Sequence, residues 1–142
     1  MDNLTRPQRR KNMQNIRSRN TVPERMLTRA LRSENLYFAR NASSLPGKPD
    51  IVFRRKKVAV FVDSDFWHCN PRYFIMPRTN VKYWKGKIAQ NKKRDKEVNY
   101  ILRKSGWKVV RIWEHEIKKN PEESCRKIIR VLSKVKQRVP GI

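Results

Sequence analysis

The sequence predicts an α/β domain in which helices cover one mixed β-sheet. The 142 residues can bury one core but not two, and 37% of them are hydrophobic. Their hydrophobic patterns follow the order helix, strands, helix, strand, helix, which is typical of a sheet flanked by helices. No internal repeat interrupts this order. A single compact domain is therefore expected.

Three helices are predicted from their end signals. The Thr-Val-Pro-Glu run at 21–24 is a capping box, and it predicts a helix to about Ser33. A long helix from about Val81 to Lys104 is ended by Gly106 as a C-cap. The Asn-Pro-Glu run at 120–122 opens the last helix, whose apolar stripe is expected to pack in the core: Cys125, Ile128, Ile129, Leu132 and Val135.

The strands are predicted from short β-branched and aromatic runs at 36–40, 50–53, 58–62 and 107–113. Between Asp63 and Asn80 the pattern breaks into a long loop that is rich in aromatic residues. Irregular stretches of this length in compact domains are usually functional. The chemistry is therefore expected here.

The charge points to a nucleic-acid partner. Thirty-six Lys and Arg against twelve Asp and Glu give a formal net charge of +24, which concentrates polyanions around the protein. A surface that is only soluble or thermostable normally gains acidic residues as well. Residues 1–20 hold six basic residues and one acid, and we expect this arm to gain order on DNA, next to a single domain at 21–142.

The expected location is the cytoplasm. No apolar run is long enough to cross a bilayer, and the N-terminus lacks the apolar segment of a signal peptide. The chain has only two cysteines, Cys69 and Cys125, too few for a disulfide framework. Both thiols are expected to be reduced.

Two acids flank a predicted hairpin. If it turns at Lys56 and Lys57, counting outward sets Asp50 opposite Asp63, and directly paired residues have β-carbons within about 5 Å. Two such carboxylates repel unless a cation lies between them, so the pair predicts a Mg²⁺ site. A longer turn would offset the pair. The alternatives are a strand-entry acid at Asp50 and a turn acid at Asp63.

Asp95 interrupts the apolar face of the long helix, which it shares with Trp84, Ile88, Asn91, Val98 and Leu102. A carboxylate that faces the core needs a partner. His68 in the preceding loop is one candidate, and an Asp that orients an imidazole favours general acid or base chemistry. The alternatives are a structural Asp–Arg pair and packing of His68 in its aromatic loop.

The loop aromatics form a second functional candidate. Phe66, Trp67, Tyr73 and Phe74 lie close in sequence to the acids and to many basic residues. Such rings can wedge between bases. The alternative is ordinary core packing.

The order of these motifs resembles the very short patch repair endonucleases. The resemblance rests on Arg-Lys-Asn-Met at 10–13, the capping box at 21–24, Leu-Pro-Gly-Lys-Pro-Asp at 45–50, Val-Asp-Ser-Asp-Phe-Trp-His at 62–68 and Trp-Glu-His-Glu at 113–116. It covers nearly the whole chain with consistent spacing.

The resemblance implies a restriction-endonuclease-like fold in which Asp50 and the backbone carbonyl of Val62 hold Mg²⁺, with Asp63 beside them. It also implies that His68 serves the attacking water or the leaving group, with support from Asp95. Glu24 matches an acid near the family's active site, so that catalytic support and helix capping compete for this residue.

The resemblance also implies the contacts to DNA. Phe66, Trp67 and Trp84 match aromatics that enter beside the mismatch from the major groove, while the arm around Met13, with Arg10 and Lys11, enters the minor groove. Zinc is implied by Asp65, Cys69 and His115, although many relatives have a cysteine where this chain has Asp65. Structural zinc commonly has four ligands, and the sequence offers no convincing fourth.

The resemblance therefore implies a Mg²⁺-dependent, monomeric bacterial endonuclease of the nucleoid that nicks duplex DNA 5′ to the thymine of a T:G mismatch. This activity is the first step of very short patch repair of deaminated 5-methylcytosine, with mismatch-repair and DNA polymerase machinery as partners. The alternatives are a restriction or structure-specific endonuclease of the same fold and a non-catalytic DNA-binding module.

Overall fold

A computed structural model describes residues 21–65 and 76–135. The predicted arm at 1–20 lies outside these ranges. In chain order the elements are α1 (Val22–Ser33), β1 (Ala39–Arg40), β2 (Ile51–Phe53), β3 (Val58–Asp63), α2 (Val81–Lys104), β4 (Lys108–Trp113), α3 (Glu114–Lys119) and α4 (Pro121–Lys134).

The four strands form one mixed sheet in the order β1-β2-β3-β4. β1 and β2 run antiparallel, as do β2 and β3, whereas β3 and β4 run parallel. Parallel neighbours need a crossover connection, and α2 supplies it. The mixed sheet with flanking helices confirms the predicted α/β class and is consistent with a restriction-endonuclease-like fold.

The helix ends follow the predicted signals. The Thr21 side chain accepts a hydrogen bond from the Glu24 amide at 3.4 Å, and the Asn120 side chain accepts one from the Glu123 amide at 3.2 Å. Gly106 follows α2 with φ 90°, a left-handed conformation that costs glycine little. No helix in the described ranges is both long enough and apolar enough to cross a bilayer.

Alternate side chains of the strands enter two cores, one on each face of the sheet. The first core packs α1, α3 and α4 against the sheet and includes Leu27, Leu31, Ile51, Val60, Ile117, Cys125 and Ile128. The second core packs α2 against the other face and includes Val52, Ala59, Phe61, Val98 and Leu102. Cys125 is a core residue, as predicted, and its burial raises the pKa of its thiol.

The predicted register of the hairpin is wrong. Its turn spans the four residues 54–57, so that Phe53 pairs with Val58, and continuing the register sets Asp50 opposite Phe61 rather than Asp63. The turn closes through a bond from the Lys57 amide to the Arg54 carbonyl at 3.3 Å, with Lys57 at φ 53°. The predicted register differs from the observed one by two residues. Side chains of a strand alternate between faces with a period of two, so Asp63 still lies on the same face of the sheet as Phe61.

Helix α3 was not predicted. It has six residues, and only Ile117 is buried. One apolar residue gives no helical period to detect. Its acidic first turn and basic last turn complement the helix dipole, but these are weak signals on their own.

Candidate active site

Asp50 takes the place of a strand partner at the end of the sheet. β2 pairs with β3 only as far as Val60, while β3 continues to Asp63. The Val62 amide, beyond the last β2 partner, donates to Oδ2 of Asp50 at 2.7 Å. The Asp50 carbonyl in turn accepts from the Asn41 amide at 3.0 Å, which ties the residue to the end of β1. Backbone and side chain of Asp50 are thus both fixed.

The Val62 carbonyl belongs to the same edge of β3. In an extended strand the N–H and C=O of one residue leave on the same side, and the Val62 N–H meets Asp50 there. A carboxylate and a backbone carbonyl are the oxygen ligands that Mg²⁺ accepts in proteins. The donor chemistry at this edge therefore fits the magnesium ion that the sequence predicts.

The loop that carries Asp50 is held closely against α2. Gly47 has φ 74°, and a β-carbon at this position would lie 2.6 Å from Cγ1 of Val98 and 3.2 Å from Cε1 of Phe61. Glycine is the residue that adopts this positive φ without strain and has no β-carbon to overlap with Val98 and Phe61. The glycine in the run at 45–50 thus sets the distance between the Asp50 loop and α2.

Asp63 is buried in an ion pair with Arg111. Oδ1 of Asp63 accepts from Nη1 of Arg111 at 2.8 Å, and Asp63 is 5% exposed. Arg111 stands on β4 directly beside Phe61, and its guanidinium lies 4.2 Å from the centre of that ring. Asp63 is therefore fixed by a charged hydrogen bond, which is stronger than a neutral one.

Arg111 also joins β4 to α2. Its Nε donates to Oδ1 of Asn99 at 2.8 Å, and its Nη1 lies 3.7 Å from Oδ1 of Asp95. Asp95 and Asn99 are four residues apart, so they share one side of the helix. The two acids Asp63 and Asp95, from separate elements, thus meet at one guanidinium.

The Asp–Arg pair that the sequence left as an alternative for Asp95 is present, through Arg111. His68 lies outside the described residues, so its partnership with Asp95 stays a prediction. Trp84, Ile88 and Asn91 are buried along the same helix, together with Val98 and Leu102, which confirms the predicted face of α2.

Glu24 is buried, with 1% of its surface exposed. Its Oε1 accepts from Nη2 of Arg40 at 3.3 Å. Arg40 pairs with Ile51, the neighbour of Asp50, so the Glu24–Arg40 pair lies at the same end of the sheet as Asp50. The supporting role of Glu24 in catalysis stays a prediction.

Two of the three residues predicted for zinc are in direct contact. Oδ1 of Asp65 lies 2.7 Å from Nδ1 of His115, and the Asp65 amide donates to Oε1 of Glu114 at 3.2 Å. Cys69 lies outside the described residues. Within the ranges that are described, no three His, Cys, Asp or Glu side chains group in a way that could hold a metal ion. A hydrogen bond joins Asp65 to His115 directly.

Most of the predicted DNA-contacting residues, namely Arg10, Lys11, Met13, Phe66 and Trp67, lie outside the described ranges. Trp84 is 9% exposed and packs edge-on against Tyr83, with 5.1 Å between the ring centres. Tyr83 itself is 56% exposed. Insertion of Trp84 into DNA therefore stays a prediction that requires its ring to leave this buried position.

The sequence alone does not single out three residues of the site, namely Arg111, Asn99 and Arg40. Arg111 lies in a strand, where a lone basic residue in a chain with this charge is easily taken for a solvated position. The position of Asn99, one turn after Asp95 on the same helix side, was a signal that could have been followed. Each of the three acts through a contact between separate elements, and local pattern does not show such contacts.

Comparisons with known proteins identify the family to which the chain is similar. A family model described as DNA mismatch endonuclease Vsr matches residues 1–73, just over half of the chain. A type II nicking enzyme of Neisseria meningitidis serogroup C is 39% identical over 130 residues, which cover 90% of this chain and 88% of that protein. A type II nicking enzyme of Lentzea aerocolonigenes is 43% identical over 113 residues, covering 76% and 68%.

The DNA mismatch endonuclease Vsr of Escherichia coli is 36% identical over 107 residues, which cover 75% of this chain and 69% of that protein. Each of these three alignments covers at least 75% of the chain. They confirm the resemblance that the motifs indicate, and the chain belongs to the Vsr family of DNA endonucleases.

Proposed function

We propose that the protein nicks one strand of duplex DNA by Mg²⁺-dependent hydrolysis, 5′ to the thymine of a T:G mismatch. The observation that carries the proposal is the bond between the Val62 amide and Asp50 Oδ2 at 2.7 Å. It brings a carboxylate and the Val62 carbonyl to one edge of β3, at the end of the sheet where further acids collect.

Asp50 and the Val62 carbonyl would hold the ion. When bound there, Mg²⁺ supplies positive charge to the scissile phosphate and acidifies water. The chain's contribution is to fix these oxygens before substrate arrives, because the backbone of Asp50 is tied to β1 and its side chain to β3. Fixed groups need no reorganisation during the reaction.

His68 is proposed to move the proton, either from the attacking water or to the leaving 3′ oxygen. Asp95 would orient the imidazole and favour its protonated form. The 24% side-chain exposure of Asp95 leaves it accessible from the solvent side, in contrast to Asp63 at 8%. Glu24, held by Arg40, supports the same end of the sheet.

Mismatch recognition is proposed for three reasons. The matching family model and the E. coli relative are both described as DNA mismatch endonucleases. The formal charge of +24 suits a long contact with phosphates. A T:G pair costs less to unstack than a matched pair, which suits aromatic side chains at Phe66, Trp67 and Trp84.

Zinc is not part of this proposal. Asp65 and His115 bond to each other directly, and four ligands are the rule for structural zinc. The proposed hydrolysis leaves a 5′-phosphate on one side of the nick and a 3′-hydroxyl on the other. A DNA polymerase can extend the strand from this 3′-hydroxyl. Polymerase and mismatch-repair proteins are therefore the proposed partners after the nick.

The test uses labelled duplexes that carry a T:G pair, a T:A pair or a four-way junction, each with Mg²⁺ and with EDTA. We expect a nick on the thymine strand of the T:G duplex only, and only with Mg²⁺. Equal cleavage of the T:A duplex would favour a restriction-type enzyme, and preference for the junction would favour a structure-specific one. Binding to the duplexes without any cleavage would show that the protein is a non-catalytic DNA-binding module.

The matched variants are Asp50→Asn and Glu122→Gln. Both replace a carboxylate by an amide, but Glu122 is exposed on α4, on the opposite side of the sheet from α2. Loss of the ligand should lower kcat at least about 100-fold. DNA binding measured in Ca²⁺ should be unchanged in both variants. Full nicking by Asp50→Asn would refute the assignment.

A further inference from the structure

A pocket lies at the outer edge of the sheet, between the end of α1 and the start of β1, and we call it the edge pocket. It encloses about 330 Å³, which is within the usual range of ligand sites. Six residues line it: Arg32, Asn35, Leu36, Tyr37, Phe38 and Arg40. We propose that the edge pocket binds one phosphodiester of the duplex that flanks the cleaved bond. This inference rests on duplex DNA as the substrate of the proposed function, but not on the metal ion or the mismatch.

The lining of the edge pocket carries hydrogen-bond donors and positive charge. Arg32 and Arg40 each contribute a guanidinium. Asn35 contributes an amide and Tyr37 a hydroxyl, and none of the six lining residues is an acid. Arginine, asparagine and tyrosine side chains all bind phosphate oxygens of DNA, and a guanidinium can do so through two parallel bonds. The donors therefore fit an anion, and a phosphodiester is the anion that duplex DNA supplies.

Arg32 holds the positive charge that is available to a ligand. Its guanidinium carbon lies 5.6 Å from the centre of the Phe38 ring, and no carboxylate pairs with it in the described ranges. The Phe38 ring packs against Phe53, with 6.0 Å between the ring centres, so this support is fixed by the core. The contact with the ring orients the guanidinium without neutralising it. Arg40 differs, because its guanidinium pairs with the buried Glu24.

Tyr37 is 96% exposed, so its ring adds little buried area to the fold. Single exposed aromatic residues are common, but this one shares a pocket with Arg32. The backbone that leads to it is ordered. The Asn35 amide donates to the Arg32 carbonyl at 2.9 Å, and the Leu36 amide donates to the Leu31 carbonyl at 3.3 Å. Tyr37 therefore follows a fixed turn, with its side chain open to a ligand.

The edge pocket lies close to the candidate active site. Arg40 pairs with Ile51, the neighbour of Asp50, so one end of the pocket borders that end of the sheet. Tyr37 lies three residues before Arg40, and three residues of extended chain span at most about 11 Å. Duplex DNA rises about 3.4 Å per base pair. The pocket thus reaches a phosphate within roughly five nucleotides of the cleaved bond.

The test is a scan with methylphosphonates, in which a methyl group replaces one charged phosphate oxygen at one position at a time. Binding of the full chain to T:G and T:A duplexes is measured in EDTA, so that no strand is cleaved. For wild type, one position within roughly five nucleotides of the expected cleavage point should weaken binding about two- to fivefold, as loss of an exposed ion pair does. Arg32→Gln should bind the unmodified duplex more weakly by the same factor and lose its sensitivity at that position.

Arg103→Gln is the matched control. Arg103 is also an exposed arginine in the last turn of a helix, but that helix is α2 and the residue does not line the edge pocket. This variant should keep the wild-type sensitivity at every position. Arg32→Gln should also reduce the slope of log affinity against log salt concentration by about one, because one phosphate contact is lost.

The outcomes separate the two proposals. If wild type binds neither duplex, the proposed function fails and this inference fails with it. If wild type binds but Arg32→Gln keeps the wild-type methylphosphonate profile, only this inference is wrong. Tyr37→Phe decides the matter if Arg32→Gln lowers Tm, because it removes one donor from a side chain that contributes little to the fold. It should reduce the sensitivity at the same position, and an unchanged profile would overturn the inference.

Steady-state kinetics give a second readout. A contact to flanking DNA is made equally in the bound substrate and in the transition state, so Arg32→Gln should raise KM for the duplex and leave kcat unchanged. A lowered kcat with an unchanged KM would show that Arg32 acts on the chemical step, and would overturn the role proposed for the edge pocket.

Discussion

Gly47 controls how closely the loop that carries Asp50 approaches α2, and its replacement by alanine should show this directly. Its φ of 74° lies in the left-handed region, where an alanine costs roughly 1–2 kcal/mol. The new β-carbon would also stand 2.6 Å and 3.1 Å from the two methyl groups of Val98, which is buried at 8% exposure. Overpacking of a filled core costs about 1–3 kcal/mol.

The two terms together predict that Gly47→Ala lowers the free energy of unfolding by about 2–5 kcal/mol. For a domain of this size each kcal/mol lowers Tm by about 3–5 °C. Activity should fall as well, because the overlap pushes the Asp50 loop away from Val98. Urea and thermal denaturation measure the first effect, and nicking rates well below the melting temperature measure the second.

Two further variants separate the cost of the left-handed backbone from the cost of the overlap with Val98. Gly86→Ala is the matched control, because a β-carbon there meets nothing within 4 Å and an exposed helical alanine is more stable than glycine by about 1 kcal/mol. The double variant Gly47→Ala, Val98→Ala removes the overlap but keeps the backbone cost, so its destabilisation should be smaller than the sum of the two single changes. A Gly47→Ala protein as stable as wild type would refute the reasoning.

Three further predictions concern α4. Asn120→Ala removes the side chain that caps the Glu123 amide and should cost about 1 kcal/mol in urea denaturation, whereas Asn120→Ser should not. The hydrogen bond and charge of Arg126 hold the pKa of Glu123 below its ordinary value of 4.5, so this pair stabilises the fold above that pH and loses its effect as pH falls through the lowered pKa. The stability difference between wild type and Glu123→Gln should therefore shrink below pH 4.5; a difference that grows would contradict the sign. Burial raises the pKa of the Cys125 thiol, so a thiol reagent at neutral pH should modify it only after unfolding.

The helices could be predicted because their signals are local. Thr21, Asn120 and Gly106 each act on an amide or carbonyl within a few residues, so the bounds of α1, α2 and α4 follow from sequence to within a residue or two. The hairpin register could not be predicted in this way. It depends on a four-residue turn with Lys57 in the left-handed region, and the basic run at 54–57 has none of the glycine or asparagine that marks such turns.

In the candidate site, too, residues with local sequence signals could be predicted and residues that act through long-range contacts could not. Asp63 was predicted from the hairpin register and Asp95 from the helix spacing, and the structure brings both acids to one guanidinium. Arg111 was missed because its contacts reach Asp63, Asp95 and Asn99, which lie 48, 16 and 12 positions earlier in the chain. A period of two or 3.6 residues reports which face a side chain takes, but not what the next element places there.

Because β3 extends beyond its last partner in β2, Asp50 has a structural role, which is to accept the hydrogen bond of the Val62 amide, besides its proposed catalytic role. Different substitutions can separate these two roles. The last residue of β3 that pairs with β2 is Val60. Without the Asp50 side chain, the Val62 amide would therefore lose its hydrogen-bond partner. The bond of the Val62 amide is partly buried, and a donor removed from water without an acceptor costs up to about 1–3 kcal/mol. Asp50→Ala should therefore lose both stability and nicking, and its inactivity alone says nothing about metal binding. Asp50→Asn keeps an oxygen for Val62 and changes only the charge, so it should melt near wild type and still fail to nick. If Asp50→Asn were as unstable as Asp50→Ala, the bond to Val62 would depend on the negative charge itself, and loss of activity in either variant would reflect the fold rather than the chemistry.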